Sequence, residues 1–162
     1  MIKNLSARGI MFAMAESCTA GLAADFIARN SGASKVFWGS FVVYTLDAKQ
    51  KMLGISEELL GKHGAVSREA ALAMAEGALK KSGVDWAFSV TGLAGPGGDD
   101  SVLSRGNPAG IPIGTIWIGI AARNGLRHAK MFLFEGNRND VREAAATAAI
   151  EEFSGQILTE WR

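Results

Sequence analysis

The sequence predicts a single layered domain of the α/β or α+β class, in which helices are interleaved among strands of mixed direction. Two observations predict this class. The chain has 162 residues, a usual size for one domain with its own hydrophobic core, and neither a repeat nor a linker divides residues 1–162. Short runs of apolar, β-branched and aromatic residues also alternate with segments whose apolar residues recur at helical spacing.

The first strand and the first helix are predicted on either side of a cluster of small residues. The apolar run IMFAMA at 10–15 predicts a buried strand. After Thr19, apolar side chains at helical spacing predict a helix that stops at the Asn-Ser-Gly sequence of 30–32. Ser17 is therefore expected at a junction between a strand and a helix.

The middle of the chain predicts a strand, three helices and a further strand. The run VFWGSFVVYT at 36–45 has the β-branched and aromatic composition of a strand, and Tyr44 lies near its end. Each helix follows a residue that can cap an N-terminus; these are Asp47, Ser56 and Ser67. Gly54 and Gly83 mark the ends of two of these helices. The next strand is predicted over VDWAFSVT at 84–91.

The last part of the chain predicts a hairpin and a terminal helix. The apolar runs 115–122 and 128–136 are joined through Asn124-Gly125, which is a strong hairpin signal, so they are expected to be antiparallel neighbours. Apolar residues then keep helical spacing to the end of the chain. The helix is predicted to begin at one of two caps, Asn139 or Asp140.

Composition and charge exclude several classes of function. Lys and Arg number 17 against 16 Asp and Glu, so there is no broad basic surface for a nucleic acid. The single cysteine excludes an intramolecular disulfide and a cage of several cysteines around a metal. The N-terminus lacks the apolar run of a secretion signal, and no apolar run approaches the roughly 20 residues that cross a bilayer. We therefore expect a cytoplasmic protein without membrane or nucleic-acid partners.

The remaining ionisable candidates are given ordinary roles. His63 and His128 have no metal-ligand spacing to a carboxylate motif, so no metal site is predicted. His63 is expected in a turn and His128 exposed on a strand. Asp99 and Asp100 are interpreted as a solvated acidic loop, not as a carboxylate pair for acid–base chemistry.

The stretch AESCTAG at 15–21 is the first candidate site. A Ser at the end of a strand and the start of a helix can expose its hydroxyl beside free backbone N–H groups, which can receive an oxyanion or phosphate. The alternative is that Ser17 and Thr19 only cap the helix. Cys18 is a weaker candidate nucleophile, because a lone cysteine more often packs as a small apolar side chain.

Two residues at the next strand-to-helix junction are candidates for proton transfer. A desolvated Lys with a lowered pKa can take a proton from a Ser hydroxyl, which gives Lys49 a possible role as general base. The Tyr44 hydroxyl can relay a proton or bind substrate. The alternatives are that Lys49 lies on the exposed side of a short helix and that Tyr44 packs with its hydroxyl at the surface.

A glycine-rich segment and two arginines are candidates for holding an anion. TGLAGPGG at 91–98 follows a strand, so its backbone amides can approach a phosphate or carboxylate, although it fits no standard phosphate-binding fingerprint. Arg138 and Arg142 stand near the start of the last helix, where a cation opposes the helix dipole unless an anion is held nearby. Ordinary solvated arginines are the alternative.

Several motifs together resemble one family in order and spacing across nearly the whole chain. That family is the C-terminal domain of the competence/damage-inducible protein CinA. The motifs are AESCTAG, YTLDAKQKMLGIS from Tyr44, HGAVS at 63–67, TGLAGPGG from Thr91, PIGT at 112–115 and GNR at 136–138.

The resemblance implies a fold and an activity. The fold implied is a three-layer α/β/α sandwich with a mixed sheet. Standalone members are nicotinamide mononucleotide (NMN) deamidases, which hydrolyse the carboxamide of NMN to nicotinic acid mononucleotide and ammonia in pyridine-nucleotide salvage. No metal or cofactor is implied, and the family suggests a homo-oligomer, either a dimer or a larger assembly.

The resemblance also implies roles for individual residues. Ser17 matches the family's nucleophile, with Lys49, Tyr44 and Thr91 as the other catalytic residues. Arg138 matches the arginine expected to hold the 5′-phosphate. The other residues expected to contact substrate, mainly through backbone amides, are Cys18, Thr19, Ala20, Gly92, Gly95 and Gly97.

Two departures from the family pattern bear on activity. The family usually has Gly where this chain has Ala20, which places a methyl group where backbone and ligand come close. The segment 99–111 is several residues longer than the usual link, as expected of a lid or a restriction on substrate range. Two other functions are therefore considered: a non-enzymatic domain that binds a nucleotide or protein, and an amidohydrolase acting on a different small amide.

Overall fold

The computed structural model describes residues 1–95 and 110–160. Six α-helices and five β-strands alternate along these described ranges. In chain order they are α1 Ile2–Ala7, β1 Phe12–Glu16, α2 Leu22–Ala28, β2 Phe37–Val42, α3 Leu46–Leu53, α4 Glu57–His63, α5 Arg68–Ser82, β3 Trp86–Gly92, β4 Thr115–Ala122, β5 Arg127–Leu133 and α6 Arg138–Glu160. A short 3-10 helix, Ala33–Lys35, lies between α2 and β2.

The strands form a mixed sheet in the order β2-β1-β3-β4-β5. Strand β1 pairs in parallel with both β2 and β3, whereas β3–β4 and β4–β5 are antiparallel. The predicted hairpin is therefore confirmed, and its first strand has the predicted bounds. The carboxyl ends of the three parallel strands lie along one edge of the sheet.

Helices cover both faces of the sheet, which confirms the α/β/α sandwich. On one face, alternate residues of β1 and β3 pack with α1, α2 and α6 around an aromatic group. The ring centroid of Phe153 lies 5.0 Å from that of Phe12 and 4.7 Å from that of Phe88. On the other face, Ala15 and Ala87 pack against α3, α4 and α5. Full burial of each large apolar side chain contributes about 1.5–3 kcal/mol.

Helix α5 approaches the sheet closely because small residues lie beneath it. A Cβ atom added at Gly119 would lie 2.3 Å from the carbonyl oxygen of Ala71. Ser89 donates its hydroxyl to the same oxygen at 2.6 Å. This close packing fixes α5, and with it the segment before α5, relative to the end of β3.

Two predicted helix caps are wrong by a few residues. The N-cap of α3 is Thr45, whose hydroxyl accepts from the Ala48 N–H at 3.1 Å, whereas Asp47 lies inside the helix. At α6 the side chain of Asn137 accepts from the N–H groups of Asn139 and Asp140 at 2.9 and 3.2 Å. In both cases the helix begins earlier than predicted, and the residue immediately before its first turn has a side chain suited to capping.

The other caps are as predicted, and one helix was not predicted. Ser56 and Ser67 cap α4 and α5, and Gly54 and Gly83 end α3 and α5 with left-handed backbone. The sequence gives little signal for α1, because Leu5 is the buried residue of a short, mostly polar segment. Among the described residues, no helix has the length and apolar composition needed to span a membrane.

Candidate active site

The carboxyl ends of β1, β2 and β3 bring the predicted site residues to one edge of the sheet. The chain leaves β1 toward β2 on one side and leaves β3 toward β4 on the other. In open α/β sheets, ligands bind where neighbouring strands connect in opposite directions. Ser17 follows β1 directly, and its N–H donates to the carbonyl oxygen of Val90 in β3 at 2.9 Å. Ser17 therefore lies at this switch point.

Ser17 and Lys49 form a buried pair at this edge. The distance between Lys49 Nζ and Ser17 Oγ is 2.8 Å, although the residues are 32 positions apart in sequence. Lys49 is 1% exposed and Ser17 is 8% exposed. The alternative that Lys49 lies on the exposed side of its helix is therefore wrong. The side chain enters the core from α3 and places its amine against the hydroxyl.

Backbone carbonyls at the end of β2 orient the Lys49 amine. Nζ donates to the carbonyl oxygen of Val43 at 2.9 Å and lies 3.5 Å from that of Tyr44. Since β2 pairs with β1, these carbonyls and Ser17 belong to adjacent strand ends. The amine is thus fixed by backbone on one side and faces the serine hydroxyl on the other.

Tyr44 and Arg138 form a second, exposed part of the site. The Tyr44 hydroxyl accepts from Arg138 Nη2 at 2.8 Å, and Tyr44 is 47% exposed. Gly95 lies against the same arginine, because a Cβ atom added there would be 3.1 Å from Arg138 Cβ. The structure thus brings together three residues that the sequence proposed separately.

Thr91 and Gly92 have contacts that compete with their predicted roles. The Thr91 hydroxyl donates to the Ala65 carbonyl oxygen at 2.7 Å, and this side chain is 1% exposed. Gly92 pairs with β4, and a Cβ atom there would lie 2.4 Å from Ile116 Cδ1. The absence of a side chain at Gly92 therefore has a packing reason. Gly97 and most of the 99–111 segment, including Asp99 and Asp100, lie outside the described residues.

The turn from Ser17 to Gly21 has a tight backbone. The Ala20 N–H donates to the Ser17 carbonyl oxygen at 3.1 Å, so it is already bonded within the turn. Ala20 has φ = 51°, a left-handed conformation that favours glycine. Within residues 1–95 and 110–160, the N–H group of Thr19 has no hydrogen-bond acceptor, and that of Cys18 has none besides its own thiol.

Glu16 is a central residue of this turn that the sequence reasoning missed. Its carboxylate is fully buried and accepts hydrogen bonds from two hydroxyls and three backbone N–H groups among the described residues. The donors are Thr19 Oγ1, Gly21 N, Ala23 N, Ala24 N and Ser40 Oγ, at 2.8–3.1 Å. A carboxylate just before a predicted helix start was the available signal, since acidic groups stabilise helix N-termini.

The thiol of Cys18 is unsuited to nucleophilic attack. Burial raises the pKa of the Cys18 thiol to about 12, and this effect outweighs a hydrogen bond from the Cys18 backbone and the charges of Lys49 and Arg142, all of which lower the pKa; the charge of Glu16 raises it further. The thiolate is the nucleophilic form of cysteine, so the side chain is unreactive near neutral pH. This favours Ser17 over Cys18 as the reacting group.

The two histidines lie outside this arrangement. His63 is at the end of α4, with Nδ1 3.7 Å from the Glu69 carboxylate. His128 lies on β5, as predicted, but it is only partly exposed, and its Nε2 lies 2.8 Å from Glu152 Oε1. No cluster of His, Cys, Asp or Glu within the described ranges could hold a metal ion.

The fold and these contacts define an α/β protein with a buried Ser–Lys pair at the carboxyl ends of its parallel strands. Residues 1–157 match the model of the CinA C-terminal domain, and the chain belongs to that family. The Escherichia coli K12 protein named Nicotinamide-nucleotide amidohydrolase PncC is 38% identical over 154 residues, covering 95% of this chain and 88% of PncC.

Other relatives are longer or of known structure. A CinA-like protein of Mycolicibacterium gilvum is 44% identical over 142 residues, and the match covers 88% of this chain but 32% of that protein. The chain thus spans about a third of the length of several curated relatives. The crystal structure of the competence damage-inducible protein A from Klebsiella pneumoniae aligns with a TM-score of 0.88 at 31% identity, covering 99% of this chain and 93% of that one.

Proposed function

We propose that this protein is an amidohydrolase that converts nicotinamide mononucleotide to nicotinic acid mononucleotide and ammonia. The observation that carries the proposal is the 2.8 Å contact between Lys49 Nζ and Ser17 Oγ in a buried site. Similarity to an E. coli nicotinamide-nucleotide amidohydrolase over nearly the whole of both chains supports the choice of substrate. The residues that form the contact are those expected to act as base and nucleophile.

In the first step, Lys49 accepts the Ser17 proton as Oγ attacks the carboxamide carbon. The carbonyl π bond opens, and the tetrahedral oxyanion accepts hydrogen bonds from backbone N–H groups at Cys18 and Thr19. The C–N bond then breaks as Lys49 returns its proton to the leaving nitrogen, which departs as ammonia. An ester between Ser17 and the nicotinoyl group remains.

In the second step, water hydrolyses the ester. Lys49 takes a proton from the water, whose oxygen attacks the ester carbonyl, and the proton returns to Ser17 Oγ as the new carboxylic acid leaves. This reaction does not require a metal or an external cofactor.

The contacts of Lys49 allow it to act as a base in its neutral form. A neutral amine has two N–H bonds, which can donate to the carbonyls of Val43 and Tyr44, and one lone pair, which can accept the Ser17 proton. Burial disfavours the charged form of a lysine side chain. Both features support a role as general base.

The exposed part of the site suits the phosphate and ring of the substrate. Arg138 offers a guanidinium for the 5′-phosphate, and Tyr44 holds that guanidinium through its hydroxyl. Gly95 lies against the side chain of the same arginine. The Thr91 oxygen keeps lone pairs that can accept from the substrate amide while its hydrogen is donated to Ala65.

We also propose that the protein is a homo-oligomer and lies in the cytoplasm. Both edge strands expose large apolar side chains, of which Trp38 is 48% and Leu133 is 60% exposed. Exposed apolar groups of this kind occur at subunit interfaces. Light scattering on the purified protein measures the assembly size; the mass of one chain at micromolar concentration would contradict this part of the proposal.

The deciding experiment measures ammonia and nicotinic acid mononucleotide released from NMN by the purified protein. Ser17→Ala is assayed beside it, and Lys51→Met serves as a control because Lys51 is an exposed lysine of the same helix as Lys49. Turnover by wild type and Lys51→Met but not by Ser17→Ala supports the proposal. Turnover by Ser17→Ala at the wild-type rate contradicts the nucleophile. Binding of NMN in calorimetry without turnover by wild type favours a binding domain or another amide as substrate.

A further inference from the structure

Arg142, in the first turns of α6, is directed at the backbone of the Ser17–Gly21 turn. Its Nε donates to the Cys18 carbonyl oxygen at 3.2 Å, and its Nη2 donates to the Thr19 carbonyl oxygen at 2.9 Å. Its Nη1 donates to the Asn139 side chain at 3.2 Å. One planar guanidinium therefore holds two successive carbonyls and is itself held by its own helix.

Contacts of the backbone carbonyls fix the direction of the N–H groups in this turn. In a trans peptide unit the C=O and N–H bonds point in opposite directions. Because the Cys18 carbonyl faces Arg142, the N–H of Thr19 points away from it. The Ser17 carbonyl faces the Ala20 N–H inside the turn, so the N–H of Cys18 points out of the turn.

The other end of the turn is held through its donors. Glu16 accepts from the Thr19 hydroxyl at 2.8 Å and from the Gly21 N–H at 3.0 Å. The Arg142 guanidinium therefore binds two carbonyls of the turn, and the Glu16 carboxylate binds a hydroxyl and an N–H group of the same turn. In the part of the chain that the structure describes, the Thr19 N–H is left without an acceptor and the Cys18 N–H contacts only its own thiol.

We propose that Arg142 is a positioning residue: it orients the two peptide units on either side of Thr19 and, through them, the N–H groups of Cys18 and Thr19 that receive the oxyanion formed on Ser17. The Cys18–Thr19 unit carries the Thr19 N–H directly. The Thr19–Ala20 unit carries the Ala20 N–H, which binds the Ser17 carbonyl and so directs the Cys18 N–H. This role rests on the proposed amide hydrolysis. It also separates Arg142 from Arg138, four residues earlier in the same helix, whose guanidinium faces the Tyr44 hydroxyl. Of two arginines expected to hold an anion, one contacts backbone and the other is available to substrate.

The first test compares the same substitution at both arginines. Arg142→Lys keeps the charge but loses the planar fork that reaches two carbonyls at once. We expect its kcat to fall about 10- to 100-fold with KM within about twofold, since a small misplacement of catalytic groups can cost about 100-fold. Arg138→Lys is expected to raise KM for NMN about tenfold or more. A rise in KM without loss of kcat in Arg142→Lys, or no change in either, would overturn the proposal.

A second test does not depend on NMN. A small aromatic sulfonyl fluoride reacts with an activated serine, and mass spectrometry measures the rate of Ser17 labelling. Arg142→Lys should be labelled at least about tenfold more slowly than wild type, and the control Lys51→Met at the wild-type rate. Equal labelling of Arg142→Lys and wild type overturns the positioning role. If wild type is labelled but does not hydrolyse NMN, the choice of substrate is wrong. The positioning role of Arg142 is then still decided by comparing the labelling rates of Arg142→Lys and wild type.

A third measurement uses the wild-type protein and therefore does not depend on the folding of a variant. In nitrogen-15-labelled protein, formation of a boronate adduct at Ser17 should shift the amide proton resonances of Cys18 and Thr19 downfield as they bond to the negative oxygen. The Ala20 resonance, whose N–H is bonded to Ser17, should change least. Unchanged Cys18 and Thr19 resonances would overturn the assignment of these two donors.

Discussion

The parallel part of the sheet and its antiparallel hairpin hold polar groups in different ways. At the carboxyl ends of β1 and β2, Glu16, Ser17 and Lys49 are buried and hydrogen-bonded. On β5, His128 and Lys130 bind the Glu152 carboxylate near the surface. Removing the partner of a buried polar group lowers the free energy of unfolding substantially, whereas removing one member of a pair near water lowers it little. In the proposed function, the buried polar groups of the parallel edge act on the substrate, whereas the hairpin pairs contribute modest stability.

The largest expected effect is the loss of activity in Lys49→Met. Removing the amine leaves Ser17 without a base, and we expect kcat for NMN to fall at least about 10⁴-fold, as in other hydrolases that lose a member of the catalytic group. Steady-state ammonia release measures this effect. The control is Lys51→Met, because Lys51 is an exposed lysine of the same helix. Ammonia release by Lys49→Met at the wild-type rate would remove the chemical distinction between the two regions.

The next largest effect compares the two buried or partly buried carboxylates. Glu16→Gln replaces an acceptor oxygen by an NH₂ group that faces donors, so we expect the free energy of unfolding to fall by about 3 kcal/mol or more. Glu152→Gln on the hairpin side should lower it by about 1 kcal/mol or less. Urea denaturation followed by circular dichroism measures both values. Equal losses of unfolding free energy in the two variants would show that the burial of the carboxylate does not distinguish these two regions.

A smaller effect compares two left-handed backbone positions, one in each region. Ala20 in the Ser17 turn has φ = 51°, and Gly125 in the hairpin turn has φ = 100°. Ala20→Gly removes the strain of a Cβ atom and should raise the free energy of unfolding by up to about 1 kcal/mol. Gly125→Ala should lower it by about 1 kcal/mol, because a Cβ atom there meets no other group within 4 Å and only the backbone is strained. Thermal denaturation checks both signs.

The smallest effect is the pH dependence of the hairpin pairs. Burial raises the pKa of Glu152, but hydrogen bonds from Lys130, Gln156 and His128 and the charge of Lys130 outweigh it, so the net pKa is lowered from 4.5. A carboxylate with a lowered pKa stabilises the fold above its unfolded pKa and loses this contribution as the pH falls through its folded pKa.

The measurement is the difference in unfolding free energy between wild type and Glu152→Gln. Below about pH 5, where only carboxylates change charge, the difference should shrink as the pH falls below 4.5. A difference that grows between about pH 5 and pH 3 would contradict the direction of the pKa shift. This titration also measures how much a near-surface carboxylate of the hairpin contributes to stability, because the Glu152→Gln substitution leaves the Ser–Lys pair unchanged.

Local sequence determined most of the secondary structure. Helix caps such as Ser56 and Ser67, the helix-ending Gly54 and Gly83, and the Asn124-Gly125 turn act over a few residues, so the sequence predicted their elements with nearly correct bounds. The errors at Asp47 and at Asn139 and Asp140 arose where a neighbouring side chain also fitted the cap. Helix α1 has too few apolar residues for periodicity to reveal it.

The motifs AESCTAG and YTLDAKQ identified Ser17, Tyr44 and Lys49, but not how they meet. The contact between Ser17 and Lys49 crosses 32 residues and depends on β1 and β2 lying side by side, which no local signal specifies. Burial of Lys49 likewise depends on the packing of α3 against the sheet and α5. The sequence alone left an exposed lysine as an open alternative for this reason.

The sequence by itself determined which elements form apart from α1, because capping, turn and periodicity energies act between residues near one another in the chain. It also determined the family, because six separate motifs keep their order and spacing. The tertiary structure alone decided the role of Arg142. Its backbone partners lie on the Ser17 turn, up to 124 residues away, and a hydrogen bond to a backbone carbonyl does not depend on which residue carries that carbonyl.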